Sequence, residues 1–193
     1  MDRVTEDLVR QALAMMKGNK KDSMFNIQSD CIINGPPALV THLTQLLRSF
    51  LTHGSVPNFV LVCTLLPLVK DNLGDITMSD NYRAIASGSL LLKLLDIVIL
   101  LLEGDKLHCD ELQFGFQEKA STVMCSWMVT TVVDHFTRQN KPVYGCAMDL
   151  SKAFDMVECT ELFGQLIIRK VNPIYLRLLI SMYKNQFCDV KWG

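Results

Sequence analysis

Residues 145–155 read GCAMDLSKAFD, and they place an acidic residue, Asp149, at the end of a mostly apolar run. The run Val143–Met148 predicts the interior of a β-strand, interrupted only by the small Gly145. A carboxylate at a buried strand end is costly unless a partner compensates its charge. Two partners fit the pattern: a metal ion, or the backbone N–H groups of a helix that starts near Ser151. The local pattern alone favours the helix cap.

The segments on either side of this strand predict further helices and strands in one α+β unit. We predict that residues 58–70 and residues 81–87 are the two strands of a hairpin, with Lys70 and Arg83 near its inner ends. Pro67 should place the first strand at a sheet edge or bend it. A final strand is predicted within residues 187–193. The predicted helices are residues 4–16 with Thr5 as N-cap, Pro36 or Pro37 to His53 with Gly54 as the stop, 90–103, 121–138, 159–170 and 173–185.

The composition indicates a folded chain without a strong overall charge. Of 193 residues, 49% are hydrophobic and 20% are charged, which is enough apolar material for a sizeable core and excludes a disordered composition. The net charge of −1 argues against a nucleic-acid binder that depends on bulk electrostatics. A local basic groove stays compatible with this charge.

The cysteines and the longest apolar segment bear on location. Seven cysteines, an odd number without a C-x-x-C pair, predict reduced and mostly buried thiols in an intracellular protein of the cytoplasm or nucleus. The charged, amphipathic N-terminus does not have the pattern of a signal peptide. Residues 89–102 are interrupted by Lys93 and Asp96 and are shorter than the ~20 residues of a spanning helix. We predict a core helix there and no membrane association.

Four stretches in order carry a resemblance to a known family. They are LLPLVKDNLGD (65–75), DNYRAIASGSLLLKLLD (80–96), LQFGFQEKASTVMC (112–125) and CAMDLSKAFDMV (146–157). Their order and spacing resemble the reverse transcriptase domain of non-LTR (LINE-like) retrotransposons. The resemblance extends to KGNKKD (17–22) and GSVP (54–57), so it covers nearly the whole chain.

The resemblance implies a role for the acid at the strand end. Asp149 matches the motif A aspartate, which binds both catalytic Mg²⁺ ions in the family, and the backbone carbonyl of Leu150 can also face a metal. Nucleotidyl transfer uses two such cations about 4 Å apart. Phe154 matches the residue under the incoming sugar, where a ring excludes a 2′-hydroxyl and favours deoxynucleotides. Phe154 also fits as the first core residue of the next helix.

The resemblance also implies contacts to substrate and template. Lys70 and Arg83 match the fingers residues that hold the triphosphate, a task that suits a point charge and a planar fork. The alternative is a pair of solvated charges on a hairpin. Gln113, Phe114 and Gly115 match a stretch near the template, and a structural turn is an equally good interpretation.

The chain also departs from the family pattern. Ala84 replaces a common proline, and QEK (117–119) replaces a more basic segment. The family continues to a glycine-containing loop, paired aspartates and a thumb, whereas no two aspartates are adjacent in these 193 residues.

The resemblance therefore predicts part of an RNA-directed DNA polymerase. Its fold class is α+β, an incomplete right hand with the fingers region and some palm elements in about residues 1–140 and a first palm segment with motif A in residues 141–193. The partners implied are an RNA template, a DNA primer and deoxynucleotides, with Mg²⁺ as cofactor. We expect the chain alone to be inactive and prone to self-association. The alternatives are a non-catalytic remnant that binds protein or nucleic acid, and a remnant that does not fold stably.

Overall fold

Helices and a small sheet form an α+β fold in the computed structural model, which describes residues 3–22, 25–117 and 120–191. The helices are α1 (Glu6–Met15), α2 (Ser29–Ile33), α3 (Pro37–His53), α4 (Asn58–Leu61), α5 (Leu90–Glu103), α6 (Thr122–Thr137), α7 (Cys159–Ile168) and α8 (Pro173–Asn185). The strands are β1 (Val62–Val69), β2 (Tyr82–Ser87) and β3 (Phe187–Val190). The predicted α+β class is confirmed.

Local capping signals explain where the long helices begin and end. The Thr5 hydroxyl accepts a hydrogen bond from the Leu8 N–H at 3.2 Å, which confirms Thr5 as the N-cap of α1. Helix α3 starts at Pro37 and ends at Gly54, whose φ of 67° is the left-handed conformation that glycine adopts without strain. Ser89 caps α5, and its side chain accepts from the Leu92 N–H.

The sheet has the order β2-β1-β3. Strands β1 and β2 form the predicted hairpin, antiparallel from Thr64↔Ser87 to Val69↔Tyr82. Strand β3 runs parallel to β1 and pairs only with residues 62–65. Pro67 therefore lies where β1 has a single neighbouring strand, as predicted for a residue without an N–H.

The first four residues of the predicted strand form a short helix instead. Residues 58–61 form α4, so β1 begins at Val62 rather than at Asn58. Pro57 is the N-cap of this helix, and its carbonyl accepts from the Val60 N–H at 2.9 Å. Proline before the first helical residue fits a helix start, which the apolar, β-branched composition of the segment masked.

The core is built around α5. Leu94, Leu95 and Val98 are fully buried in α5, which packs against α1, and α1 in turn packs against α3. Val9 of α1 and Leu47 of α3 are also fully buried. The prediction that residues 90–103 form a core helix is confirmed. Within the described residues, no helix combines the length and apolar character needed to cross a membrane.

A contact between distant segments closes the end of α3. Arg177 of α8 donates from Nη2 to the backbone carbonyls of Leu51 and Thr52, at 3.2 and 3.0 Å. These carbonyls lack partners inside the helix because they belong to its last turn. A Cβ at Gly54 would displace the Arg177 guanidinium from this position, and the positive φ of residue 54 favours glycine independently.

Glu103, at the end of α5, is a buried acid with three partners. Its carboxylate is 3.1 Å from Nη1 of Arg3 and 2.6 Å from Nζ of Lys106, and it accepts from the Asn172 N–H at 2.9 Å. Burial alone would raise the pKa of Glu103, but the Lys106 ammonium, the Asn172 N–H and the Arg3 guanidinium together hold it below its usual value. The charged form is therefore favoured in the folded chain.

We expect this site to make stability depend on acid pH. Because the folded pKa of Glu103 is below its usual value of 4.5, its contribution is complete above that pH. The contribution is lost as the pH falls through the lowered folded pKa. Urea unfolding at a series of pH values should show a smaller acid-side loss of unfolding free energy in Glu103→Gln than in the wild type. Equal slopes in the two proteins would contradict this role.

The strand predicted to end at Asp149 is absent. The chain divides into two compact units, one of residues 1–106 with 159–193 and one of residues 107–158. Residues 141–150, in the second unit, are exposed and form neither helix nor strand, and residues 151–156 form turns rather than a helix. A strand requires hydrogen bonds to a neighbouring strand. The described residues provide no partner strand for this run.

Two other sequence predictions are corrected or left open. Of the seven cysteines only Cys63 is buried and the other six are exposed, so the prediction of mostly buried thiols is wrong. Apolar neighbours in sequence did not produce burial because several of these cysteines lie in residues 107–158, where most side chains are exposed. Glu118 and Lys119 of the QEK segment, and residues 192–193 of the final predicted strand, lie outside the described residues.

Candidate functional site

The predicted site residues fall in the two separate units. Lys70 and Arg83 belong to the first unit, at the hairpin. The second unit contains Gln113, Phe114, Gly115, Asp149, Leu150 and Phe154. Each group is described within its own unit.

The hairpin register relates Lys70 to Arg83. Arg83 of β2 is paired with Leu68, and the Lys70 N–H donates to the Asn81 carbonyl at 2.7 Å. The ladder therefore continues by one residue, and Lys70 and Arg83 become diagonal neighbours. Diagonal neighbours share one face of a sheet and lie roughly 7–8 Å apart. The hairpin thus presents two cations on one face, at the end where the loop joins β1 to β2.

The two cations differ in how firmly they are held. The Lys70 ammonium donates from Nζ to the Asp80 carbonyl at 2.7 Å, which fixes the side chain against the loop that joins β1 and β2. An ammonium has three donors, so two are left for an anion. The Arg83 side chain is exposed, and its guanidinium has no hydrogen-bond partner among the described residues. Together they can accept a phosphate group through one fixed and one adjustable donor.

Asn81 organises the loop beside these cations. Its side chain accepts from the Asp71 N–H at 3.0 Å and donates to the Asp71 carbonyl at 2.9 Å, so one amide ties both ends of the loop. At the far side of the loop, both the hydroxyl and the N–H of Thr77 donate to Asp75 and lower the pKa of that carboxyl. Sequence reasoning missed Asn81, although its place directly before Tyr82 in the DNYR stretch was a usable signal.

Asp149 and Leu150 lie on an exposed, irregular segment. The Leu150 side chain is 80% exposed, and Asp149 is exposed as well. The interpretation of Asp149 as a helix cap is wrong, since no helix follows it. The proposal of a buried acid at a strand end is equally corrected, because the carboxylate is free to face water.

The donor atoms at this segment do not make a complete two-metal site. Carboxylate and carbonyl oxygens are the ligands that Mg²⁺ prefers. Asp149 and Leu150 would supply one carboxylate and one backbone carbonyl. In residues 3–22, 25–117 and 120–191, no three His, Cys, Asp or Glu side chains are grouped so that they could hold a metal ion. The residues present therefore supply some of the ligands of a Mg²⁺ site but not a complete set.

An aromatic contact joins two of the motif stretches within the second unit. The rings of Phe154 and Phe116 meet edge to face, with centroids 5.9 Å apart and an interplanar angle of 89°. Both rings are largely exposed, at 78% and 93%. Phe154 is therefore not a core residue of a following helix, and that interpretation is wrong. Phe116 was missed by sequence reasoning, although it is the second aromatic residue of the QFGF stretch.

The QFGF stretch forms a turn. The Gln113 N–H donates to the Asp110 carbonyl at 3.0 Å, and the Gln113 side chain donates to the Gly115 carbonyl at 3.2 Å. Phe114 is half-buried between these exposed neighbours. A Cβ at Gly115 would have open space around it, so local sterics do not require glycine there. The turn is formed by local hydrogen bonds, and it places the Phe116 ring beside Phe154.

Comparisons with known proteins do not add a family. No protein-family model matches the chain, and no curated protein matches it.

Proposed function

We propose that the chain forms the fingers and the first palm segment of an RNA-directed DNA polymerase of the non-LTR retrotransposon type. The observation that carries the proposal is the hairpin, whose register puts Lys70 and Arg83 on one face. Two cations on one face suit the charge of a nucleoside triphosphate. The proposed partners are an RNA template, a DNA primer and deoxynucleotides, in the cytoplasm or nucleus.

In this proposal each residue has the role that its match to the family motif implies. Lys70 and Arg83 bind the triphosphate, with the Lys70 ammonium held in place by the Asp80 carbonyl. Phe154 lies under the sugar and selects against a 2′-hydroxyl. The turn with Gln113, Phe114 and Gly115 contacts the template. The Phe116–Phe154 contact supports a link between the template turn and the sugar-selecting ring.

The chain alone is inactive in this proposal. Asp149 and the Leu150 carbonyl are the only Mg²⁺ ligands that the motif supplies, and no adjacent aspartates occur in the sequence. A single carboxylate cannot fix two divalent cations in the spacing that nucleotidyl transfer uses. The exposed apolar side chains of α6, including Val123 at 73% and Trp127 at 68%, support the expectation of self-association.

Primer extension on an RNA template tests the proposal. We expect no extension by the 193-residue chain with Mg²⁺ or Mn²⁺, because the other metal carboxylates are absent. We expect extension by a chimera in which the chain is joined to the second palm half and thumb of a non-LTR reverse transcriptase. Lys70→Ala and Arg83→Ala in the chimera should raise the KM for deoxynucleotides, whereas the matched change Lys184→Ala on α8 should not.

Two results would contradict the proposal. Extension by the unextended chain would show that its carboxylates suffice, which contradicts the inactivity proposed for the chain alone. A chimera that folds cooperatively but extends no primer would favour the second candidate, a non-catalytic module that binds a protein or a nucleic acid. The exposed apolar surface of α6 is the observation that favours this second candidate.

A further inference from the structure

Two cysteines face each other across the sheet. Cys63 of β1 and Cys188 of β3 are directly paired in the parallel ladder, so both side chains lie on the same face of the sheet. Neighbouring strands lie about 4.8 Å apart. Disulfides join Cα atoms that are roughly 4.4–6.8 Å apart. The backbone is therefore already spaced for a bond between the two sulfur atoms.

The two thiols differ in accessibility. Cys63 is 1% exposed, whereas Cys188 is exposed on the edge strand β3. Burial, followed by the neighbouring Cys188 side chain, raises the pKa of Cys63 to about 11. A reagent in solution therefore reaches the Cys188 thiol first. Cys63 is buried beside it and is protonated at neutral pH.

No other cysteine has this arrangement. The remaining five, Cys31, Cys109, Cys125, Cys146 and Cys159, are exposed and lie outside the three described strands. The facing pair is therefore set apart by register and not by the number of cysteines in the chain.

We propose that Cys63 and Cys188 are an oxidisable dithiol site that forms a reversible disulfide with a small-molecule disulfide, such as glutathione disulfide, as the oxidant. This inference is independent of the polymerase proposal. It concerns a disulfide bond between strands β1 and β3, and β1 is also one strand of the hairpin.

The reaction is two thiol–disulfide exchanges. The Cys188 thiolate attacks one sulfur of glutathione disulfide, and the first glutathione leaves as a thiolate that takes up a proton. The Cys63 thiol then loses its proton to water and attacks the Cys188 sulfur of the mixed disulfide, and the second glutathione leaves and is protonated. Two protein thiols are oxidised to one disulfide, and one glutathione disulfide is reduced to two glutathione molecules.

The disulfide would link edge strand β3 covalently to β1, to which it is otherwise joined by only a short ladder. Strand β3 contacts β1 over four residue pairs, extended by one hydrogen bond from the Lys191 N–H to the Leu65 carbonyl at 3.0 Å. A link between positions 63 and 188 closes a loop of 188 − 63 = 125 residues. Closing a loop of that length lowers the entropy of the unfolded chain strongly. Oxidation should therefore raise the thermal midpoint.

The test uses the full 193-residue chain equilibrated with mixtures of reduced and oxidised glutathione. After acid quenching and alkylation of free thiols, peptide mass spectrometry should find a peptide pair joined through Cys63 and Cys188, which dithiothreitol separates. The midpoint of thermal unfolding should rise by on the order of 10 °C on oxidation. Cys188→Ser and Cys63→Ala should each remove both effects, while Cys31→Ser, the matched change at an exposed cysteine in α2, should leave both.

The outcomes separate a built pair from random oxidation. A chain oxidised in urea should lose the preference for the 63–188 bond, because the register that joins the cysteines is then gone. The proposal is overturned if the folded chain ends with Cys188 as a glutathione mixed disulfide and Cys63 as a free thiol. It is also overturned if Cys188 pairs equally with the other exposed cysteines.

Discussion

Replacing Asp149 by Ala in the polymerase chimera is expected to lower primer extension by about 10⁴-fold or more, by analogy with groups that act as a catalytic unit. In the proposed function Asp149 is the carboxylate that this chain contributes to the metal ions, and the others come from the second palm half. Removing it takes away a ligand without changing the fold, because residues 141–150 are exposed and make no ladder hydrogen bonds. The measurement is single-turnover extension on an RNA template.

Asp155→Ala is the matched control for this variant. It removes the same charge from the same exposed segment, but Asp155 does not match a metal ligand in the motif. Its extension rate should stay within a few-fold of the parent chimera. Equal losses in the two variants would indicate that negative charge in the segment matters and not a specific metal ligand. Full activity in Asp149→Ala would refute the assignment of motif A.

The second large effect concerns the core. Leu94→Ala should lower the free energy of unfolding by about 2–5 kcal/mol, the usual cost of a leucine-to-alanine change at a buried position. Leu94 is fully buried in the middle of α5, which packs against α1. Urea unfolding followed by circular dichroism measures the change, with the slope of the transition checked for two-state behaviour.

Leu100→Ala is the control on the same helix. Leu100 is 51% exposed, so the same chemical change removes much less buried area. Its cost should be about 1 kcal/mol or less. If both variants lose the same free energy, the buried face of α5 has been assigned wrongly. A larger loss in Leu100→Ala would lead to the same conclusion.

The long helices were predictable because their signals are local, whereas the short helices α2 and α4 were missed. Thr5, Pro37, Gly54 and Ser89 each act through hydrogen bonds or φ angles within one turn of the helix that they start or stop. The hairpin was predictable for a similar reason, since its two apolar strands are separated by one polar loop. The run that ends at Asp149 was not, because a strand depends on a partner that the run itself does not specify.

The site was predicted less completely than the fold. Lys70 and Arg83 lie on one face because of the hairpin register; the sequence indicated the hairpin but not this register. The contacts that hold the site were not foreseen: the Asp80 carbonyl that fixes Lys70 and the Phe116 ring against Phe154 both depend on loop conformations. Turn hydrogen bonds to backbone carbonyls leave little trace in residue type, because every residue has a carbonyl.

The bond from Arg177 to the end of α3 has a consequence for synthesis. Its donor and acceptors are 125 and 126 residues apart in the chain, so α3 leaves the ribosome long before the side chain that closes its last turn. At ordinary elongation rates this delay is roughly 6–25 s. During that time the final carbonyls of α3 are open to water and to chaperones. The nascent chain therefore completes this helix end only when α8 has been made.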